Sequence, residues 1–353
     1  MKFADRSPGS SRGLFAEVSR LQQAGRRAVL ATPLWSRGSV PLSHHSRLLL
    51  RDDGSTEGTI GGGPLEAQVL TAGRQAISED NARVLEFDLT QEQAAEGGMI
   101  CGGRCAVLVE PIAPDLAHEI FAAAARAEES GDPIVLITLL PPGGGLRKLA
   151  LTSQGELLGA TGDAALDESL RKGAEEARAD QAPRVVEDPV PAYIHPILPR
   201  PALFIFGAGH IALPLAHMAD LSGFRVTVID DREEFANPRR FPRAEQVLVA
   251  SVAEAFRQLP IDGNSYLVAV TRGHAMDEEV VAHALRTPAR YIGMIGSKRK
   301  VSAVLDRLRN RNFSGEDLAR LHSPIGLDIG AQTIEEIAVS ILAQLISARR
   351  KDN

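Results

Sequence analysis

The residues best placed to do chemistry in this sequence form a short glycine-rich loop in its carboxyl-terminal third. Gly207, Gly209 and Ala212 follow a predicted strand, open a predicted helix and fit the pattern G-x-G-x-x-G/A. The first glycine of this pattern permits a tight turn, the second lets the backbone approach a pyrophosphate, and the third small residue lets helix and strand pack closely. The positive end of the helix dipole also faces the phosphate. The loop, with His210 inside it, is predicted to bind the phosphate of a nucleotide or dinucleotide.

An acidic residue stands where such a loop needs a second contact with its ligand. Asp230 ends the next predicted strand, roughly 20 residues after Gly207, and is predicted to accept hydrogen bonds from ribose hydroxyls. Asp231 and Arg232 follow it, and an arginine at this point can meet a 2′-phosphate. Even so, Asp230 favours an unphosphorylated ribose. The alternative is a glycine turn in a Rossmann-like domain that binds no ligand.

Two later loops also fall at the predicted carboxyl ends of strands, the edge at which open parallel sheets bind ligands. In the first loop, Thr271 and Gly273 are predicted cofactor-binding residues, and His274 could act as an acid–base group. In the second, Ser297 and Arg299 are predicted to hold phosphate through a helix N-terminus and a cation. The simpler alternatives are a loop histidine without a chemical role and a basic helix start in solvent.

Three consecutive glycines form a second candidate anion site nearer the amino terminus. Gly61, Gly62 and Gly63 lie between a predicted strand and a predicted helix, where successive backbone N–H groups can cradle an anion. Glu66 falls in the first turn of that helix, where a carboxylate complements the helix dipole. These four residues are predicted to bind a cofactor, with a plain tight turn as the alternative.

Cys101 lies in an open setting for a thiol. Two glycines precede it and two follow it within a few residues, and Arg104 nearby would favour the thiolate. A soft thiolate can bind molybdenum or a sulfurated metal, or act as a nucleophile. The alternative is an inert small residue in a loop that enters a strand. Cys105 is predicted to lie in the core, and two thiols provide neither a disulfide scaffold nor a complete zinc or iron–sulfur site.

Two domains must position these candidates, since 353 residues exceed one ordinary hydrophobic core. Residues 202–353 alternate predicted strands with helices, the pattern of a doubly wound parallel sheet of the Rossmann type. Residues 1–182 mix helices with short strands, which predicts a smaller amino-terminal α/β domain. Between them, 183–201 contains six prolines, and proline at that density blocks both helix and central strand. We predict a linker there, with an edge strand at Tyr193 to Ile197.

Composition argues against several classes of function. The net charge of −6 and the scarcity of tyrosine and tryptophan disfavour nucleic-acid binding. No run of about 18 apolar residues is present, so no membrane span is expected. The first residues lack the apolar core of a signal peptide, and a cytoplasmic protein is therefore expected.

Six segments, in order along the chain, resemble the XdhC and CoxI family, the xanthine dehydrogenase accessory proteins. The first two segments make the resemblance specific, because the later ones belong to a Rossmann domain of a kind that many families share. The segments are GTIGGGPLEA (58–67), GMICGGRCAVLVEP (98–111), FIFGAGHIALPLAHMADLSGFRVTVIDDR (204–232), TRGHAMDEEVV (271–281), YIGMIGSKRK (291–300) and LHSPIGLDIGAQTIEEIAVSI (321–341).

The resemblance implies a maturation factor for molybdenum hydroxylases. Members are thought to bind molybdenum cofactor, protect it while an oxo group is exchanged for sulfur, and pass it to the apo-enzyme. By position, Cys101 corresponds to the family's cysteine, and Gly61 to Gly63 with Glu66 correspond to its glycine loop. The resemblance further implies a homodimer that contacts an apo molybdenum hydroxylase and a cysteine desulfurase as sulfur donor. Some members carry a cysteine directly after the glycine run, and this chain departs from them with Pro64.

Three functions are compatible with these residues. A cofactor-insertion chaperone would use Cys101 and the amino-terminal glycines together with the Gly207 loop, since molybdenum cofactor is a phosphorylated pterin, sometimes joined to a nucleotide. An NAD(P)-dependent oxidoreductase acting on a small substrate would use the Gly207 loop and Asp230 but leave Cys101 idle. A nucleotide-sensing regulatory module would bind nucleotide without molybdenum. The sequence favours the chaperone over a catalyst.

Overall fold

The computed structural model describes residues 13–40, 42, 46–89, 102–115, 117–130, 132–140 and 147–350. The chain divides into two compact units, Met1–Pro199 and Arg200–Asn353. We call them the amino-terminal and the carboxyl-terminal unit. The boundary between them lies near the carboxyl end of the predicted proline-rich linker.

The first half of the amino-terminal unit contains one antiparallel sheet. Its elements are α1 (Leu14–Gln23), β1 (Ala28–Gly38), β2 (Arg47–Arg51), β3 (Thr56–Thr59), α2 (Gly63–Glu79), β4 (Arg83–Asp88) and β5 (Gly103–Ile112). The strand order is β3-β2-β1-β5-β4, with β1 at the centre. The chain turns tightly after β2, where Gly54 has a φ of +86° and the Asp53 carboxylate accepts a hydrogen bond from the Ser55 N–H at 2.9 Å.

The second half of this unit contains another antiparallel sheet. Its elements are α3 (His118–Ser130), β6 (Ile134–Leu139), β7 (Arg147–Leu151), β8 (Leu157–Leu158), α4 (Ala164–Asp180), β9 (Arg184–Val186) and β10 (Ala192–Ile197). The strand order is β8-β7-β6-β10-β9. Apolar side chains of α1 and α3 share one cluster with residues of both sheets, and the rings of Phe15 and Phe121 lie 6.3 Å apart between centroids.

The segment predicted as a linker is folded into this second sheet. β9 and β10 lie inside residues 183–201, and β10 is hydrogen-bonded to β6 on one side and β9 on the other. The predicted strand therefore exists but is not an edge strand. β10 can contain Pro196 because β9 pairs only with Ala192, Tyr193 and Ile194. At Pro196 the strand is therefore paired on one side only, with β6.

The carboxyl-terminal unit is a doubly wound sheet of six parallel strands. Its strand order is β13-β12-β11-β14-β15-β16, and helices cover both faces. The chain winds outward from β11 in one direction and then from β14 in the other, so the switch point lies between these two strands. This confirms the predicted Rossmann-type sheet, whereas the amino-terminal unit, Met1–Pro199, is the larger of the two and not the smaller domain that was predicted. The elements are β11 (Ala202–Phe206), α5 (Ala212–Leu221), β12 (Arg225–Asp230), β13 (Gln246–Val249), α6 (Val252–Gln258), β14 (Ser265–Ala269), α7 (His274–Ala284), β15 (Tyr291–Met294), α8 (Lys298–Asn310), α9 (Gly315–Ala319), β16 (Leu321–His322) and α10 (Ile334–Arg350).

Within the described ranges, no helix combines the length and the apolar character needed to cross a membrane.

Candidate functional site

Gly207 turns the chain from β11 towards α5 at the switch point of the sheet. Its φ is +107°, which lies far from the conformations that other residues adopt readily. A Cβ at this position would lie 2.4 Å from the carbonyl oxygen of Val270 and 3.0 Å from Cα of Thr271. Both contacts are with backbone at the end of β14. Glycine is therefore required here for the turn and also for the close approach of two neighbouring strand ends.

Gly209 is free of such crowding. A Cβ there would meet no atom within 4 Å, so its missing side chain leaves open space over the loop. Ile211 occupies the N-cap of α5 and provides no side-chain hydrogen bond to the first N–H groups, and Ala212 is fully buried against the sheet. His210 is exposed beside them. The loop has the form that a phosphate requires, with open space and uncapped N–H groups at a helix start.

Asp230 ends β12 beside this loop, but its carboxylate is already engaged. Oδ1 accepts hydrogen bonds from the Arg232 backbone N–H at 3.1 Å and from Nε at 2.8 Å. Oδ2 accepts from the Ala208 N–H at 2.9 Å and from Arg232 Nη2 at 3.0 Å. Burial alone would raise the pKa of Asp230, but these hydrogen bonds outweigh it and hold the pKa at about 2. The carboxylate thus ties the glycine loop to the loop after β12, and the predicted contact with ribose stays a prediction.

The loops after β14 and β15 are joined by a buried ion pair that sequence analysis did not identify. Asp277 of α7 is fully buried, accepts hydrogen bonds from N and Oγ1 of Thr271 at 3.0 and 2.7 Å, and contacts Nζ of Lys300. Lys300 also donates to the Ile295 carbonyl at 3.0 Å. The pair therefore brings together the two segments that sequence analysis treated separately. An acid six positions after a threonine, at a helix start, was the available signal.

Of the other predicted residues in these two loops, two lie at helix N-caps and two are exposed at helix starts. Gly273 is the N-cap of α7 and, like Ile211, provides no side-chain cap. Ser297 caps α8 by accepting a hydrogen bond from the Lys300 N–H at 3.3 Å, so its hydroxyl already has a structural role. Arg299 is exposed, and so is His274 at the first position of α7.

In the glycine run of the amino-terminal unit, side chains of the same loop and helix accept hydrogen bonds from backbone N–H groups. Gly61, Gly62 and Gly63 all have positive φ values, of +118°, +75° and +65°. Oε2 of Glu66 accepts hydrogen bonds from the Ile60 N–H at 3.0 Å and the Gly62 N–H at 3.2 Å, and the Gly61 N–H donates to Thr59 Oγ1 at 3.1 Å. A carboxylate of the chain thus lies where the predicted cradle would hold an anion.

Replacing Glu66 should loosen this loop. Glu66 also accepts a hydrogen bond from the Thr59 hydroxyl at 2.6 Å, so Glu66→Ala removes the acceptor of three hydrogen bonds. We expect a loss of about 1–3 kcal/mol in the free energy of unfolding, measured by urea titration. Glu79→Ala on the same helix removes only a surface pair with Arg83 and should cost less than about 1 kcal/mol. An equal loss of unfolding free energy for both variants would show that the hydrogen bonds accepted by Glu66 do not stabilise the loop.

Cys101 lies outside the described residues, so its role in binding a metal or handling sulfur stays a prediction. Cys105 is fully buried in β5, as predicted, and burial raises the pKa of its thiol. Across the part of the chain that the structure describes, no three His, Cys, Asp or Glu side chains come together as metal ligands. A groove of about 570 Å³ between α2 and β4 is lined by residues such as Gln68 and Arg83 and contains none of the predicted site residues.

Comparison with known proteins connects both units to one family. The model described as the XdhC and CoxI family matches residues 21–88, and the model described as the XdhC Rossmann domain matches residues 203–345. The chain is 26% identical over 337 residues to "Uncharacterized protein YqeB" of Escherichia coli, and spans about half of that protein, 46% of its length. It is also 26% identical to a probable xanthine dehydrogenase subunit of Bacillus subtilis, over 95% of this chain and 97% of that one.

A solved structure has the same fold along almost the entire length. The crystal structure of a xanthine dehydrogenase from Bacillus halodurans superposes with a TM-score of 0.80 at 26% identity, and the match covers 96% of each chain. The two family models match parts of both compact units, in the order that the glycine-rich segments indicated. This chain belongs to the XdhC and CoxI family.

Proposed function

We propose that this chain is an accessory protein that binds molybdenum cofactor and delivers it to an apo molybdenum hydroxylase of the xanthine dehydrogenase type. The observation that carries the proposal is the Gly207 loop, which combines open space at Gly209 with an uncapped helix start. The names of two similar proteins support the connection with xanthine dehydrogenase, and the sequence contains both this loop and the Cys101 segment.

The cofactor enters this proposal as cargo. It is a phosphorylated pterin, and its dinucleotide form carries a pyrophosphate, so either form provides the anionic group that the Gly207 loop suits. Its metal is the soft partner expected for the Cys101 thiolate. The homodimer, the sulfur donor of the cysteine desulfurase type and the target hydroxylase belong to the same proposal.

Metal and pterin analysis of purified protein tests the proposal. The chain is purified from molybdenum-replete cells that make the cofactor, and bound molybdenum and pterin are measured together. We expect both in the wild-type protein, and we expect Cys101→Ser to lose most of the molybdenum. Cys105→Ala is the matched control, because Cys105 is buried four positions away and should not touch the cargo.

Three results would contradict the proposal in different ways. Protein without molybdenum or pterin would remove the cargo. Equal retention by the wild-type protein and Cys101→Ser would remove the role of that thiol. Steady turnover of NAD(P) with a small substrate would favour the oxidoreductase alternative, and tight nucleotide binding without molybdenum would favour a nucleotide-sensing module.

A further inference from the structure

The carboxylate of Asp230 has no acceptor position left for a ribose hydroxyl. A carboxylate offers about four lone-pair positions on its two oxygens. Four donors, the Ala208 N–H and three N–H groups of Arg232, already lie within 3.1 Å of them. The side chain of Asp230 is only 5% exposed. A ribose hydroxyl could therefore bind only by displacing one of these donors, two of which belong to the charged guanidinium of Arg232.

Arg232 is held by the same contacts with donors to spare. Its guanidinium lies over the Phe235 ring, with Cζ 3.7 Å from the ring centroid, and its side chain is 24% exposed. Asp230 takes two of the five guanidinium N–H groups, which leaves three for another acceptor. A planar group fixed in this way has little entropy still to lose on binding, and it matches the oxygens of a phosphate in pairs.

Two further arginines lie close to this group. Arg240 lies over the same Phe235 ring, 4.9 Å from its centroid, and donates to the Phe235 carbonyl at 3.0 Å. Arg272, from the loop after β14, pairs with Asp231 at 2.9 Å and is half-exposed. The ends of β12 and β14 thus present cations at the side of the Gly207 loop where Rossmann domains place the ribose.

We infer that Arg232 is the specificity-determining residue of this site and that its ligand is a nucleotide with a phosphate on the 2′ position of the ribose. Asp230 is then a positioning residue, which orients the guanidinium and ties it to the Gly207 loop. This inference depends on the phosphate loop of the proposed function but not on molybdenum. The sequence position of Asp230 indicates an unphosphorylated ribose, and the inference reverses that preference. The reason is that hydrogen bonds within the protein already fill the acceptor positions of the Asp230 carboxylate.

Calorimetric titration of the full chain with adenosine 2′,5′-bisphosphate and with AMP tests the inference. The two probes differ only in the 2′-phosphate. We expect the bisphosphate to bind about 10- to 100-fold more tightly, the range of one good charge-assisted contact. Arg232→Gln should remove most of this preference. Arg239→Gln, an equal change of charge at an exposed position of the same segment, should keep it.

A second variant keeps the test valid if loss of the guanidinium destabilises the unit. Arg232→Lys retains the charge beside Asp230 but cannot bind a phosphate with two parallel N–H groups, so the preference should fall while the melting temperature stays near the wild-type value. AMP binding as tightly as the bisphosphate in the wild-type protein would overturn the inference and leave the phosphate loop intact. Binding of neither probe would also overturn the inference, whereas the proposed function would still be decided by metal and pterin analysis.

Discussion

Gly207→Ala is expected to cost the carboxyl-terminal unit about 3 kcal/mol or more of unfolding free energy and to abolish nucleotide binding. The backbone at this position has a φ of +107°, which alanine adopts only with strain. Its Cβ would also lie 2.4 Å from the carbonyl oxygen and 2.7 Å from the carbonyl carbon of Val270. These are backbone atoms directly after β14 and cannot move aside as a side chain could. The loop and the strand end would have to separate.

Gly209→Ala is the matched control, two residues along the same loop. A Cβ there meets no protein atom within 4 Å, and the residue is not among those with a positive φ. We expect the free energy of unfolding to change by less than about 1 kcal/mol. A ligand that uses this space would meet the new methyl group, so affinity should fall although the fold is kept.

Urea unfolding and nucleotide titration of the two variants separate structure from binding. A large loss of stability for Gly207→Ala, together with a loss of affinity alone for Gly209→Ala, is the expected pattern. A Gly209→Ala variant with unchanged affinity would show that no ligand approaches the loop at that point. A stable Gly207→Ala variant would show that the strand end at Val270 moves easily.

The Gly207 loop could be predicted from the sequence because its signal is local. Two glycines and an alanine at fixed spacing, between an apolar strand and a helix, determine a turn that only a few folds use. The position of Asp230 at the end of β12 was predictable for the same reason. The partner of Asp230 was not predictable, because Arg232 can reach outward to a ligand or back to its neighbour, and only the packing of its guanidinium on Phe235 decides.

The threonine–acid contacts show a second limit of local patterns. Thr59 with Glu66 and Thr271 with Asp277 each close a loop that enters a helix, and both loops were predicted to bind a cofactor. Thr161 donates to Asp167 in the same way, at 2.7 Å, at a helix start for which no ligand was predicted. The arrangement is thus a general way of fixing the entry to a helix. Sequence spacing alone does not distinguish a ligand loop from a loop that closes on its own carboxylate.

Proline content did not predict the strands inside the proline-rich segment. Whether a strand can contain proline depends on whether a neighbouring strand needs its N–H group. Pro196 lies in β10 opposite Val135 of β6, in the part of the strand that β9 does not reach. β9 pairs only with the first half of β10, and the composition of β10 alone does not show how far its neighbour extends.

Lys148→Met is expected to destabilise the amino-terminal unit by about 3–5 kcal/mol, because it leaves a buried carboxylate without its cation. Nζ of Lys148 on β7 lies 2.9 Å from Oε2 of Glu110 on β5 and donates to Thr138 Oγ1 at 2.9 Å. The side chains of the pair are 4% and 2% exposed. The contact joins the two antiparallel sheets of the unit, so its loss should be measurable as a lower midpoint in urea unfolding.

The double variant Lys148→Met/Glu110→Leu distinguishes the two physical reasons for such a loss. If the cost arises from stranding the carboxylate, removing both charges should restore most of the stability, because methionine and leucine fill a dry interior without desolvating an ion. If the pair instead orients β5 and β7 in a way that apolar side chains cannot, the double variant should remain as unstable as Lys148→Met. Lys172→Met, at an exposed position of α4, controls for the substitution itself and should change the midpoint little. Full recovery would mean that the ion pair adds no net stability over well-packed apolar side chains, which is a frequent outcome when a buried pair is replaced in this way.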